Sequence, residues 1–227
     1  MRTAILVGFA AAAILCSGPV AAQLERITNT EAVAGLKAAL DKGSQAAVAA
    51  LGRSDGFFGN PQVRIPLPES LARAERLMRR VGMGRHADEL ILSMNRAAEA
   101  AVPEARQLLA DSVKKMSVQD AKGILTGGET AGTEYFRRST RVELHGHFLP
   151  IVGQATAKLD LARKYNAYAE QGVALGLMNK ADANLDEYVT EKALDGLYFM
   201  VAEEEKKIRK DPAGTGAAIL RKVFGAL

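Results

Sequence analysis

The sequence predicts an all-α protein: a single-domain, irregular bundle of about eight helices with one long amphipathic helix near the C-terminus. Two observations carry this. No segment sustains the period-two alternation of β-branched residues that marks a strand. Apolar residues instead recur at three- and four-residue spacings along much of the chain. The strongest such pattern is Asn184 to Arg209, NLDEYVTEKALDGLYFMVAEEEKKIR. At 3.6 residues per turn, Leu185, Val189, Ala193, Gly196, Leu197, Met200, Val201 and Ile208 share one face. Glu187, Glu191 and Asp195 fall on the opposite face. Asn184 is a good N-cap, with Glu187 placed for a capping box. Asp211-Pro212 stops the helix.

Taken in order, residues 1–22 read as a secretory signal. Arg2 supplies the positive end, Ile5 to Leu15 a short apolar run, and Val20-Ala21-Ala22 a cleavage site before Gln23. Thr28 to Leu51 reads as the first helix of the exported chain, with Thr28 and Glu31 as a capping box. Arg53 to Leu67 cannot be helical, because glycines 56 and 59 and prolines 61 and 66 interrupt it. Its five large apolar side chains, Phe57, Phe58, Val63, Ile65 and Leu67, predict a loop packed onto the helices. Pro68 suits the first turn of a helix ending near Gly82. Asp88 to Met116 is periodic, with a kink or break expected at Pro103.

Ser117 and Asp120 cap a short helix that fails at Gly127-Gly128. Glu129 to Leu149 is helical; Pro150 should disturb it before helix resumes to Lys158. Asp160 to Gln171 reads as a helix, Gly172 to Ala183 as a linker, and Thr215 to Phe224 as a last short helix. The exported chain, residues 23–227, is long enough for one sizeable core.

Composition excludes several function classes. The 30 basic and 26 acidic residues give a formal charge of +4, too mixed in sign to point to nucleic acid. Loss of the signal would remove Arg2 and also Cys16, the one cysteine, leaving neither a thiol nucleophile nor a disulfide. No second apolar run is long enough to cross a membrane after signal cleavage. No Gly-x-Ser-x-Gly or P-loop motif is present, and nothing implies a cofactor.

Three sets of residues are candidates for chemistry. Arg137, Arg138 and Arg141 lie on one helical flank and suit an anion, unless the acidic face of Glu187, Glu191 and Asp195 pairs with them. Phe57, Phe58, Gly59 and Asn60 form a loop tip that suits a partner contact, unless its rings cover the core. Glu143, His147 and Glu204 would supply a carboxylate–histidine–carboxylate metal set if their helices face each other.

The segments Gly56-Phe57-Phe58-Gly59-Asn60-Pro61, Ile65-Pro66-Leu67-Pro68, Ser93 to Glu99, Tyr135-Phe136-Arg137-Arg138 and Tyr188 to Arg209 together resemble the bacterial domain-of-unknown-function family 4197. The resemblance spans nearly the whole exported chain. It implies a secreted, all-helical envelope protein of a Gram-negative bacterium and brings no activity with it. The expected function is therefore a non-enzymatic periplasmic domain binding a protein partner or an apolar or anionic small ligand. The alternative is a metal-dependent enzyme or metal carrier using Glu143, His147 and Glu204.

Overall fold

The computed structural model describes residues 29–80, 82, 84–157 and 184–211. The signal segment 1–22, the helix at Asp160–Gln171, the linker 172–183 and the helix at Thr215–Phe224 lie outside the described residues. Within them the protein is all-helical. The elements are α1 (Asn29–Leu51), α2 (Glu69–Arg80), α3 (Gly84–Ala101), a 3₁₀ turn (Val102–Glu104), α4 (Ala105–Lys115), α5 (Val118–Leu125), α6 (Ala131–Thr156) and α7 (Leu185–Lys210). Among the described residues, no helix is long and apolar enough to cross a membrane.

The two expected proline effects come out differently. Pro103 separates α3 from α4 through the 3₁₀ turn. Pro150, expected to disturb its helix, lies inside an uninterrupted α6. The carbonyl four residues back belongs to Gly146, on the exposed side of α6, where solvent can take the place of the missing N–H. Beyond the proline, Phe148 and Val152 are fully buried and Thr156 nearly so, and this packing offsets the lost hydrogen bond.

The caps are local and legible. The Ser117 hydroxyl accepts from the Asp120 N–H at 3.1 Å, and the Asp120 carboxylate accepts from the Ser117 N–H at 3.0 Å, a complete capping box. Asn184 Oδ1 accepts from the Asp186 and Glu187 N–H groups. The Glu187 side chain does not turn back to close a box there; it reaches His145 on α6 instead.

α7 packs against α6, α1 and α3 and is the centre of the fold. Its expected apolar face is buried at Leu185, Val189, Ala193, Gly196, Leu197, Val201 and Ile208. Met200 is only partly buried against the core. Leu194 and Tyr198 widen the buried face, because α7 has neighbours on more than one side. α6 runs antiparallel to α7: Gly132 meets Glu205, Thr140 meets Tyr198, and His145 meets Glu187.

The loop between α1 and α2 is packed down on this frame. Phe57 is fully buried, Ile65 and Val63 are nearly so, and Phe58 is partly exposed. Phe57 occupies the space that a side chain at position 196 would need. A Cβ there would lie 2.6 Å from Phe57 Cε1 and 3.3 Å from Val63 Cβ. Gly196→Ala should therefore push the ring off α7 and cost about 1–3 kcal/mol in urea denaturation. An unchanged midpoint would mean that Phe57 is free to move.

Candidate functional site

Two buried polar side chains of α3 fix the loop. Asn95 is fully buried; its Oδ1 accepts from the Ile65 N–H at 2.9 Å. Its Nδ2 donates to the Ile65 carbonyl at 2.9 Å and to the Ile91 carbonyl at 2.7 Å. Glu99 Oε1 accepts from the Phe57 and Phe58 N–H groups at 3.0 and 3.1 Å. Its other oxygen pairs with Arg96 at 2.6 Å, and Arg96 reaches on to Asp55 at 2.7 Å. Inside the loop, Asn60 accepts from the Val63 and Arg64 N–H groups through its carbonyl and from the Gln62 N–H through its side chain. Further contacts tie the loop to α7: the Tyr188 hydroxyl donates to the Pro66 carbonyl at 3.1 Å, and Asn60 approaches Met200 Sδ at 3.8 Å. The loop thus runs antiparallel to α7, with Asn60 beside Met200, Val63 beside Gly196, and Pro66 beside Tyr188.

A third buried group, Glu205, fastens the start of α6. Thr130, the N-cap, makes no side-chain cap. Glu205 replaces it from α7, accepting from the Gly132 N–H at 2.9 Å and from the Thr133 N–H and hydroxyl at 2.8 and 2.9 Å. A carboxylate at this position also complements the positive end of the helix dipole. Arg209 completes the set, donating to Glu205 at 2.9 Å and to the Ile124 carbonyl at the end of α5 at 3.0 Å.

Two of the candidate arginines meet on α7 carboxylates and the third, Arg138, lies apart. Arg141 pairs with Glu191 and, at 3.1 Å, with Asp195. Arg137 reaches the same Asp195 at 3.5 Å, and His145 lies 2.8 Å from Glu187 and 3.5 Å from Glu191. The acidic face of α7 and the basic flank of α6 therefore form one charged ladder. Arg138 is exposed and lines a separate depression with Asp120, Glu134 and Tyr135.

Glu143, His147 and Glu204 are not brought together either. Glu143 and His147 are exposed on α6, and Glu204 pairs with Lys207 at 2.7 Å. The antiparallel register sets the neighbouring Glu205 beside Gly132. Glu143 lies eleven residues further along α6, about 16 Å away at 1.5 Å per residue. That separation corrects the metal-set expectation. Among the described residues, no group of three or more His, Cys, Asp or Glu side chains is placed to hold a metal ion.

What the packing does create is a trough of about 520 Å³ with three sides. α7 is its floor, from Lys192 through Asp195, Gly196 and Phe199 to Ala202. The loop residues Gln62 to Pro66 form one wall, and Thr130, Thr133, Glu134 and Arg137 form the other. Among the described residues, three cations rest on aromatic rings: Arg64 over Phe58 at 4.4 Å, Arg137 over Tyr198 at 4.8 Å, and Lys192 over Tyr188 at 5.7 Å. All three cations line this trough. Arg137 shares Asp195 with Arg141, whereas Arg64 feels a carboxylate, that of Asp88, only at longer range, and Lys192 rests on the Tyr188 ring. Tyr198 lies beneath the floor, and its hydroxyl sits 2.8 Å from the Thr140 hydroxyl. Burial raises its pKa above the ordinary phenol value, so it stays neutral beside the two arginines.

Sequence reasoning missed Arg64, Lys192, Asn95, Glu99 and Glu205. A signal existed for the last three. Glu205 falls four residues after Val201 and three before Ile208, in register with the apolar face. Asn95 stands four after Ile91 and three before Ala98, and Glu99 three before Val102. A polar residue inside an apolar stripe marks a buried hydrogen-bonding hub.

No curated protein and no solved structure matches the chain. The sequence model of one family, described as a protein of unknown function (DUF4197), matches residues 26–225. Both halves of the structure that build the trough, the loop with α3 and α6 with α7, lie inside that match, and the chain belongs to this family.

Proposed function

We propose that this protein is a non-enzymatic binding domain of the Gram-negative periplasm, exported by residues 1–22, and that it takes a small anionic ligand in the trough between the loop and α7. One observation carries the reading: Arg64, Arg137 and Lys192 all face the same trough, and each is held against a ring. A cation resting on an aromatic face has less freedom to lose when an anion binds, so these groups are partly pre-organised. The trough volume is within the range of small-molecule sites. The rigid attachment of the loop by Asn95 and Glu99 supports the reading further, because it keeps one wall in place.

Native mass spectrometry of protein purified from its own envelope tests this. The expected wild-type spectrum contains an anionic small molecule on a chain beginning at Gln23. The Arg64→Glu, Lys192→Glu double variant should lose that molecule. Retention of the same adduct by the double variant, or bare wild-type protein that also fails to bind any anion on titration, overturns the binding reading. A chain retaining Met1 overturns the export.

A further inference from the structure

We propose that the tip of the hairpin formed by α2 and α3 is a second binding surface, separate from the trough, and that its partner is an anionic phospholipid membrane.

The first observation is charge. From Arg76 to Arg85 the sequence reads RLMRRVGMGR, with four arginines and no carboxylate. Arg79 is used within the fold. Its guanidinium lies 2.9 Å from Glu75 on α2 and 2.6 Å from Asp88 on α3, so it clamps the two helices together. Glu75 and Asp88 are the first carboxylates on either side of the tip in sequence, and one arginine takes both. Arg76, Arg80 and Arg85 are exposed and make no ion pair among the described residues.

The turn gathers these three. Arg76 and Arg80 are four residues apart and share one flank of α2. Gly82, with φ 80°, reverses the chain, and its N–H donates to the Arg79 carbonyl at 3.3 Å. Gly84 then sits against Arg79, where a Cβ would lie 3.2 Å from Arg79 Cγ. Arg85 follows in the first turn of α3.

Fold stability does not account for the cluster. Arg80 suits the C-terminal end of α2, but Arg85 stands at the start of α3, where the helix dipole disfavours a cation. α2 packs chiefly against α3, so its arginine flank stays open to a partner.

Composition selects that partner. Leu77, Met78, Val81 and Met83 are interleaved with the arginines, and the segment has no aromatic residue. Basic and apolar residues on one short helical segment suit a lipid interface, where guanidiniums meet phosphates at the edge of the acyl region. A nucleic-acid strand would accept the same charge but stacks on aromatic rings, which this segment lacks.

Co-sedimentation with lipid vesicles tests the proposal. The chain from Gln23 onward should bind vesicles of phosphatidylglycerol mixed with phosphatidylcholine, leave them at high salt, and ignore vesicles of phosphatidylcholine alone. Each cation near an anionic surface contributes about fivefold to binding, so Arg76→Gln, Arg80→Gln and Arg85→Gln together should weaken it about a hundredfold. All three side chains are exposed, so circular dichroism of this variant should match the wild type. Arg106→Gln, Lys115→Gln and Lys122→Gln remove the same net charge from exposed positions outside the tip and should weaken binding less than about tenfold. None of the tip residues lines the trough, so Arg64→Gln with Lys192→Gln should also stay within about tenfold of the wild type. An equal loss in the two triple variants is a response to net charge alone and overturns the assignment to the tip. Loss in the trough variant with none in the tip variant moves the lipid to the trough and overturns it too. Wild-type protein that fails to bind the anionic vesicles, or binds phosphatidylcholine alone as tightly, overturns the anionic membrane. Binding to duplex DNA without binding to the anionic vesicles makes nucleic acid the target and overturns the proposal.

Discussion

Glu205→Ala is expected to destabilise the protein by about 3–5 kcal/mol, because it breaks a buried, fully partnered charge pair from one side. Glu205 is 5% exposed and accepts from two N–H groups and one hydroxyl at the start of α6. Its removal takes the acceptor from those buried donors and the carboxylate partner from the Arg209 guanidinium. The methyl of alanine fills none of the space. Glu205→Gln is the informative companion. One amide oxygen can still accept from Arg209 or from an α6 N–H, but the amide NH₂ then faces donors, so a smaller loss is expected. Equilibrium urea denaturation of the three proteins measures both. A loss under about 1 kcal/mol for the alanine variant would mean that the start of α6 frays without consequence and that Thr130 suffices as its cap.

The helices were legible because the forces that form them are local or periodic. α7 was readable from the recurrence of Leu185, Val189, Ala193 and Leu197 on one face. The Ser117–Asp120 cap was readable because both partners lie within one turn. The pairing of α6 arginines with Glu191 and Asp195 was legible as an alternative, since opposite charges on two amphipathic helices have few other places to go. What could not be read is whatever needs a partner distant in sequence. Pro150 looked disruptive because the sequence cannot price the packing of Phe148 and Val152 on either side of it. Glu187 looked like a capping residue because His145 is far away in the chain. The trough is the extreme case. Arg64 and Lys192 carry no signal of their own, and they share a surface only because Asn95 and Glu99 hold the loop down beside α7. In the sequence the rings of Phe57 and Phe58 suit a contact surface or a cover on the core. One of them is core, and the other is the seat on which Arg64 rests.

Asn95→Ala is expected to cost about 3–5 kcal/mol and to release the loop as well. The Asn95 amide makes three hydrogen bonds, two of them to the N–H and carbonyl of Ile65, itself 1% exposed. Truncation orphans both backbone groups in a dry site, at about 1–3 kcal/mol each, and the cavity adds to that. The protein has a cheaper response than leaving them unpaired: the loop can lift so that Ile65 reaches water. That response exposes Phe57 and Phe58, so chymotrypsin, which should cut the native wild type slowly at both, should cut the variant rapidly there while the helices stay intact. Asn95→Asp separates the terms. It keeps the acceptor for the Ile65 N–H but loses both donors and adds a buried charge, so it should be no milder than alanine. Lifting the loop also removes the Arg64 wall of the trough, so Asn95→Ala should weaken anion binding although Asn95 touches no ligand. A variant that is destabilised yet resists chymotrypsin and binds as the wild type does would show that Glu99 alone holds the loop.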